Sequence, residues 1–430
     1  MRLFRIAPLL AALCLCAPAA PLLSQARVLR EITFTGAPAY TQAELLAFTG
    51  LKPGGSATQQ QVEDAAQRLN DTGIFEEVTF SGNDKGIIYT LKPAAASAML
   101  PARFGNFVWW QDDEINRTLQ AHVPLYHAAG VPIAGNLRES ICAALKAMLA
   151  EKGVPTASVI SLRSASRTGG PLDHLAFNID SPAVVIHSLT LVDASPAMQP
   201  KVARVIKDVT GHQWDKLSTY LDIESRVGDV YRNEGYLDIA VARQDHSAPT
   251  LTASSIDLDL TATITEGEQY HVSQLTWPGS EIFSAADFNK KATLKKGDPD
   301  SPAALRETLH NLTTAYSAKG YIDAAPAAPP VIDRTAHLVA YTVSVVPGDQ
   351  YHVKSIQFSG FSDAQMKDIT ADWRMKAGDI YDATYANHFV VEHPGLRKPG
   401  FLFAISEKRD HSTLSVDLTV TFKPAPTKPN

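Results

Sequence analysis

Residues able to carry chemistry are few in this sequence, and they are widely spaced. His271 and His352 each follow a tyrosine, Tyr270 and Tyr351, which lie 81 positions apart. Two imidazoles in equivalent places so far apart do not easily share one metal, so they are read as solvated strand residues. Acidic groups cluster at Asp112-Asp113-Glu114 and at Asp298 with Asp300. They read as charges at helix N-termini, with a cation site as the alternative. Trp109 and Trp110, placed on a strand, would face opposite sides, one into a core and one outward as a contact. There is no glycine-rich phosphate loop, no Gly-x-Ser-x-Gly elbow and no histidine pair at helical metal spacing. No catalytic residue, cofactor or metal ligand is assigned.

The elements around these residues repeat. From Tyr231 the chain reads YRNEGYLDIAV, from Tyr316 YSAKGYIDAAP, and from Leu69 LNDTGIFEEVTF. Each is a helix end, a glycine, then a strand-like run. A glycine just past a helix takes the left-handed conformation without a Cβ penalty and caps the last carbonyls. Turn glycines of this kind fall at Gly73, Gly153, Gly235, Gly320 and Gly400, spaced 80, 82, 85 and 80 residues apart. That regularity predicts five copies of one unit.

Within the first copy, Arg30–Thr35 alternates as a strand. Thr41 with Glu44 forms a capping box for a short helix, and a second helix runs from about Thr58 to Asn70 with Val62, Ala65, Ala66 and Leu69 on one face. Phe75–Phe80 and Ile87–Leu91 read as a hairpin. The order is strand, helix, helix, strand, strand. The last strands alternate apolar and polar residues, as at Ile256, Leu258, Leu260, Ala262 and Ile264, so one sheet face is packed and the other wet. Two helices must cover the packed face. The predicted fold class is α+β: tandem two-layer β-α-α-β-β units, each a three-stranded mixed sheet under two helices, forming an elongated arm. Predicted bounds are 28–93, 99–182 (the least regular copy), 183–266, 267–347 and 348–424, with 425–430 a tail.

Residues 1–26 have the layout of a secretory signal: Arg2 and Arg5, an apolar run, then Ser24-Gln25-Ala26. Cleavage after Ala26 is expected, with an uncleaved anchor as the alternative. The remaining chain has 37 Lys+Arg against 45 Asp+Glu, an acidic balance that argues against nucleic acid or an anionic membrane surface as partner. Cys142 is then the one cysteine, so no intramolecular disulfide forms, and it reads as a small buried apolar residue.

The run GLKPGGSATQQQVEDAAQRLNDTGIFEEVTF from Gly50 resembles the central signature of POTRA domains, and LKKGDPDSPAALRETLHNLTTAYSAKGYID from Leu294 resembles it again. POTRA domains form the periplasmic arms of outer-membrane insertases of the BamA and TamA type. The resemblance implies a non-enzymatic scaffold, periplasmic and outer-membrane associated, whose partners are outer-membrane β-barrel proteins or barrel-assembly components. It implies no small-molecule substrate and membrane association only through those partners. An envelope scaffold bridging membrane complexes, or an enzyme with an unrecognised site, are the alternatives. After Lys423 the sequence offers no further alternating segments of the kind a barrel needs, so it resembles the arm without the pore.

A small sheet offers a partner its unpaired edge. In the strand order one-three-two of the family the second strand is that edge. Candidate partner-binding residues are therefore Phe75, Glu76, Glu77 and Val78; Tyr236, Leu237, Ile239 and Val241; Tyr321 and Ile322; and Phe401, Leu402, Phe403 and Ile405.

Overall fold

A computed structural model describes residues 26–166, 169–243, 246–396 and 401–424. The signal-like segment to Gln25, the turn glycine Gly400 and the tail 425–430 lie outside the described residues.

The first repeat begins with strand β1 (Glu31–Thr35), followed by helices α1 (Gln42–Thr49) and α2 (Gln59–Asp71) and strands β2 (Phe75–Gly82) and β3 (Gly86–Pro93). Both helices start as the sequence predicts. Thr41 is extended, its hydroxyl accepts the Glu44 amide at 3.2 Å, and the Glu44 carboxylate accepts the Thr41 amide at 2.7 Å. Thr58 and Gln61 form a second such box. These reciprocal bonds satisfy donors that the first helical turn leaves unpaired. Val62, Ala65, Ala66 and Leu69 are all buried, which is the face their spacing selected.

The same order recurs. The second repeat has β4 (Ala102–Phe104), α3 (Asp112–His122), α4 (Leu137–Glu151), β5 (Ser158–Ser164) and β6 (His174–Ser181). Next come β7 (Ala183–Val192), α5 (Gln199–Val209), α6 (Ser218–Asn233), β8 (Ala240–Arg243) and β9 (Ser255–Thr265). In the fourth, β10 (His271–Thr276), α7 (Ala285–Lys291) and α8 (Pro302–Ser317) precede β11 (Pro330–Asp333) and β12 (Leu338–Thr342). The last has β13 (His352–Ser359), α9 (Asp363–Asp372), α10 (Tyr385–Glu392), β14 (Phe401–Asp410) and β15 (Ser415–Pro424). In every repeat the third strand is central, between the first and the second. The first pairs with it in parallel in the first, second, fourth and fifth sheets. The second pairs antiparallel throughout. The chain is thus α+β, with tandem mixed sheets as predicted.

The central strands carry the cores. Ile256, Leu258, Leu260, Ala262 and Ile264 on β9 are buried, as are Val416, Leu418, Val420 and Phe422 on β15. Each of the Val, Leu, Ile and Phe side chains stabilises by about 1.5–3 kcal/mol when fully buried. Helix α10 ends at Glu392, before Pro394, because a proline there has no amide to continue the ladder.

By compactness the chain divides into two units. One holds Met1–Ile186 with His212–Leu217 and Ser247–Leu258; the other holds His187–Gly211, Ser218–His246 and Asp259–Asn430. In the first unit, the small apolar stretch after Pro93 is paired rather than loose: Met99 and Leu100 form two ladder positions with Pro132 and Val131. Trp109 and Trp110 are not on a strand, contrary to expectation. They sit in the turn between β4 and α3, edge to face at 5.7 Å, with the Lys152 ammonium 5.5 Å from the Trp110 ring. The first strand of this repeat ends at Phe104, because the chain bends at Gly105 and Asn106. Cys142 is only half-buried, and burial pushes its thiol pKa upward.

Candidate functional site: sheet edges and the turns before them

Strand β2 borders the first sheet, as predicted. Phe75 begins it, but its side chain is 3% exposed and lies 5.9 Å from the Tyr40 ring, so it is core rather than contact surface. A register irregularity between Phe75 and Glu77 sets Glu76 out of the ladder, where its carboxylate meets Lys92 Nζ at 2.9 Å. Glu77 is exposed and Val78 half-buried. The pleat then settles which way the strand faces: Val78 and Phe80 stand opposite the buried Leu91 and Tyr89, on the helix side. Between the strand and its helix runs a groove. Glu63, Ala66, Gln67 and Asn70 of α2 form one wall, and Glu76, Glu77, Val78 and Phe80 form the other. The helical wall was missed in the sequence, although the exposed stripe at three- and four-residue spacing on α2 is its signal.

In the fifth repeat β14 is an edge along ten ladder positions, from Phe401↔Pro424 to Asp410↔Ser415. Leu402 is 46% exposed, whereas Phe403 and Ile405 pack against the fifth core.

Two predicted edges are displaced. Of the residues proposed around Tyr236, only Val241 lies on β8, opposite Ile264; Tyr236, Leu237 and Ile239 belong to the turn before it. Tyr321 and Ile322 also lie in a turn, and the second strand of the fourth repeat follows as Ala325–Ala327 and then β11. The reason is tertiary. Ile322 is 9% exposed because it enters the core of the fifth repeat beside Tyr351, and Leu237 packs on the core of the fourth around Tyr270. These side chains are used by the next repeat, so the chain cannot yet extend along its own sheet.

The two turns are built alike. After α6, the Gly235 amide donates to the Arg232 carbonyl and the Tyr236 amide to the Tyr231 carbonyl; after α8, Gly320 and Tyr321 do the same with Ser317 and Tyr316. This is the Schellman pattern, and it demands the left-handed φ of +87° at Gly235 and +85° at Gly320. Gly153 follows it as well, and Gly73 shares the positive φ. Each glycine carbonyl then receives the first tyrosine of the next repeat, Tyr270 N to Gly235 O at 2.8 Å and Tyr351 N to Gly320 O at 2.9 Å. The side-chain amides of Gln269 and Gln350 donate to the Glu234 and Lys319 carbonyls.

An aspartate closes each turn. Tyr270 Oη donates to Asp238 at 2.8 Å, and Arg334, from the tip of the β11–β12 hairpin, bridges the same carboxylate. Tyr351 Oη donates to Asp323 at 2.9 Å, and Arg409 reaches that carboxylate at 3.1 Å. Hydrogen bonds from Arg334 and Tyr270 hold the Asp238 carboxyl below its ordinary pKa. His337 stands edge to face with Tyr270, and His411 with Tyr351. Asp300 departs from expectation. It does not decorate a helix end but is 2% exposed, accepting the Tyr341 hydroxyl at 2.7 Å, and burial raises its pKa. His271 sits on the half-exposed start of β10, with Nδ1 3.2 Å from the Gly297 carbonyl. Among the described residues, no group of three or more His, Cys, Asp or Glu side chains is placed to hold a metal ion, and no helix is long and apolar enough to cross a membrane.

Residues 28–94 and 270–348 match the POTRA family, described as a surface antigen variable number repeat. Those two segments carry the first and fourth sheets with their helices, and the other three sheets repeat the same strand order. Over 159 residues it is 27% identical to a Treponema pallidum (strain Nichols) protein named an outer membrane protein assembly factor. That match takes in 37% of this chain and 19% of the relative, so it spans about a fifth of the relative's length. Among solved structures, POTRA domains 3–5 of Haemophilus influenzae BamA match at 16% identity and a TM-score of 0.41, covering 57% of this chain and 98% of that one. POTRA domains 1–3 of the Omp85 periplasmic domain from Anabaena match at 15% identity and a TM-score of 0.25, covering 58% and 98%.

Proposed function

We propose that this protein is a non-enzymatic periplasmic scaffold in outer-membrane protein assembly or transport. It binds outer-membrane β-barrel proteins or barrel-assembly components by adding an extended segment of the partner to a free sheet edge. In this reading the segment to Ala26 exports the chain, the repeats divide near residues 93, 182, 266 and 347, and the protein reaches the membrane only through its partners. The observation that carries the reading is strand β2: eight residues bordering the first sheet, with a groove between the strand and α2. Backbone pairing of this kind tolerates varied sequences, because alternate side chains and not the ladder set specificity. Edges β8 and β14 are further candidates, with Val241 and Leu402 as their contact residues.

A photo-reactive side chain placed at Phe80, with the protein in its own cell envelope, tests this. The expected product is a covalent adduct to a β-barrel protein or a barrel-assembly component. Adducts to cytoplasmic proteins alone would defeat the proposal.

A further inference from the structure

We infer that strand β5, the edge of the second sheet, takes up extended segments that carry aspartate or glutamate four residues apart, a small residue midway and apolar residues between. This rests on the strand-addition reading above and adds a further edge and the chemistry of its occupant. β5 pairs with β6 on one side, and among the described residues no strand lies on its other side. Its seven residues include no proline, so every amide can donate.

The pleat decides which side chains face α4. Val159, Ser161 and Arg163 stand opposite Ile179, Phe177 and Leu175, all three buried, so they point to the helix side. Ile160 and Leu162 point the other way, opposite Asn178 and Ala176, and Leu162 is 56% exposed. Arg163 therefore turns a charge inward at an edge. Such a charge closes the edge to apolar strands and leaves it open to one that brings a counter-charge.

Helix α4 supplies the other wall. Ser161 stands beside the Cys142 thiol, which sets the flank of α4 that looks towards β5. Arg138 and Lys146, four residues to either side of Cys142, share that flank. The charges that bear on the thiol are, in descending order, Lys146, Glu139 and Arg138, so with Arg163 the lining is cationic in balance. Among the described residues, Arg138, Lys146 and Arg163 form no ion pair. After the turn at Gly153 the strand runs back along the helix, so Val159 lies towards Lys146 and Arg163 towards Arg138. Two residues of strand span about 6.8 Å and four of helix about 6 Å, so these levels stay matched. An added strand then has three helix-facing positions. The outer two meet Arg163 with Arg138 and Lys146, and the middle one meets Ser161 and the half-buried Cys142. The residues between them lie along Ile160 and Leu162.

The test uses the full chain and three synthetic extended peptides of about ten residues. They are identical except for glutamate, glutamine or lysine at the two outer helix-facing positions, and a fourth peptide repeats the glutamate version with alternate amides N-methylated. Fluorescence anisotropy at low salt should rank glutamate over glutamine over lysine, with about tenfold between first and last. High salt should remove most of that ranking, and the double variant Lys146→Gln, Arg163→Gln should bind the three alike. Hydrogen exchange read by mass spectrometry should show the glutamate peptide protecting residues 158–164. The N-methylated peptide should not bind. Equal affinities for the three, a ranking that survives in the double variant, or protection confined to other strands would overturn this inference and leave strand addition at the other edges standing. So would no binding by any of the three. Undiminished binding of the N-methylated peptide would overturn strand addition, and this inference with it.

Discussion

Two aspartates near one tyrosine respond to pH with opposite signs. The Asp238 carboxylate is held ionised by Arg334 and Tyr270, so its folded pKa lies below the unfolded value. Its stabilisation is complete above the unfolded pKa, near 4, and is lost as pH falls through the folded value. Asp300, whose amide donates to the Tyr270 carbonyl, has a folded pKa raised by burial. In its ionised form it weakens the fold, and that penalty grows as pH rises from below about 4 through the folded value. Asp238→Asn should therefore melt below the parent at neutral pH and converge with it in acid. Asp300→Asn keeps an acceptor for Tyr341 and should melt above the parent at neutral pH, converging with it below about pH 4. Thermal melts across pH measure both. Neither role was legible in the sequence: Asp300 directly precedes Ser301 and the Pro302 that opens α8, which is where a helix-end charge belongs. Only the fold brings Tyr341 to it.

Elements were largely legible because local chemistry decides them. Thr41 with Glu44, the buried face of α2 and the strict alternation along β9 and β15 each specify their element without help from distant residues. The starts of the second strands in the third and fourth repeats were not legible. An aromatic after a glycine has strand propensity, but Leu237 and Ile322 are claimed by the following core, and that contact outweighs propensity. The glycines at these turns do two things, which substitution separates. Gly235 and Gly211 share nearly the same φ, +87° and +84°, but a Cβ at Gly235 would lie 2.5 Å from the Tyr270 carbonyl oxygen while one at Gly211 meets nothing within 4 Å. Gly211→Ala should cost only the left-handed backbone term, about 1 kcal/mol, and Gly235→Ala more than about 2 kcal/mol. Chemical denaturation of the two variants decides it; equal losses would mean that the close approach at Gly235 is not needed.

At the scale of the molecule, the near-constant spacing of the turn glycines announced a tandem chain. What the spacing could not announce is how one repeat is joined to the next. The joints at Gly235 and Gly320 use the same kinds of part: a glycine carbonyl, a branched apolar side chain, an aspartate, then a glutamine, a tyrosine and an arginine from the closing hairpin of the next repeat. Parts this similar are interchangeable couplings. Splicing Glu266 directly onto Gly348, so that the whole of 267–347 is removed, would offer Tyr351, Gln350 and Arg409 to the turn at Gly235, with Leu237 standing in for Ile322 at little change in volume. The shortened chain should still unfold cooperatively, and the Tyr351 amide should stay protected from hydrogen exchange. A lineage carrying such couplings can lengthen or shorten its reach by whole repeats through recombination alone, without inventing a new joint each time.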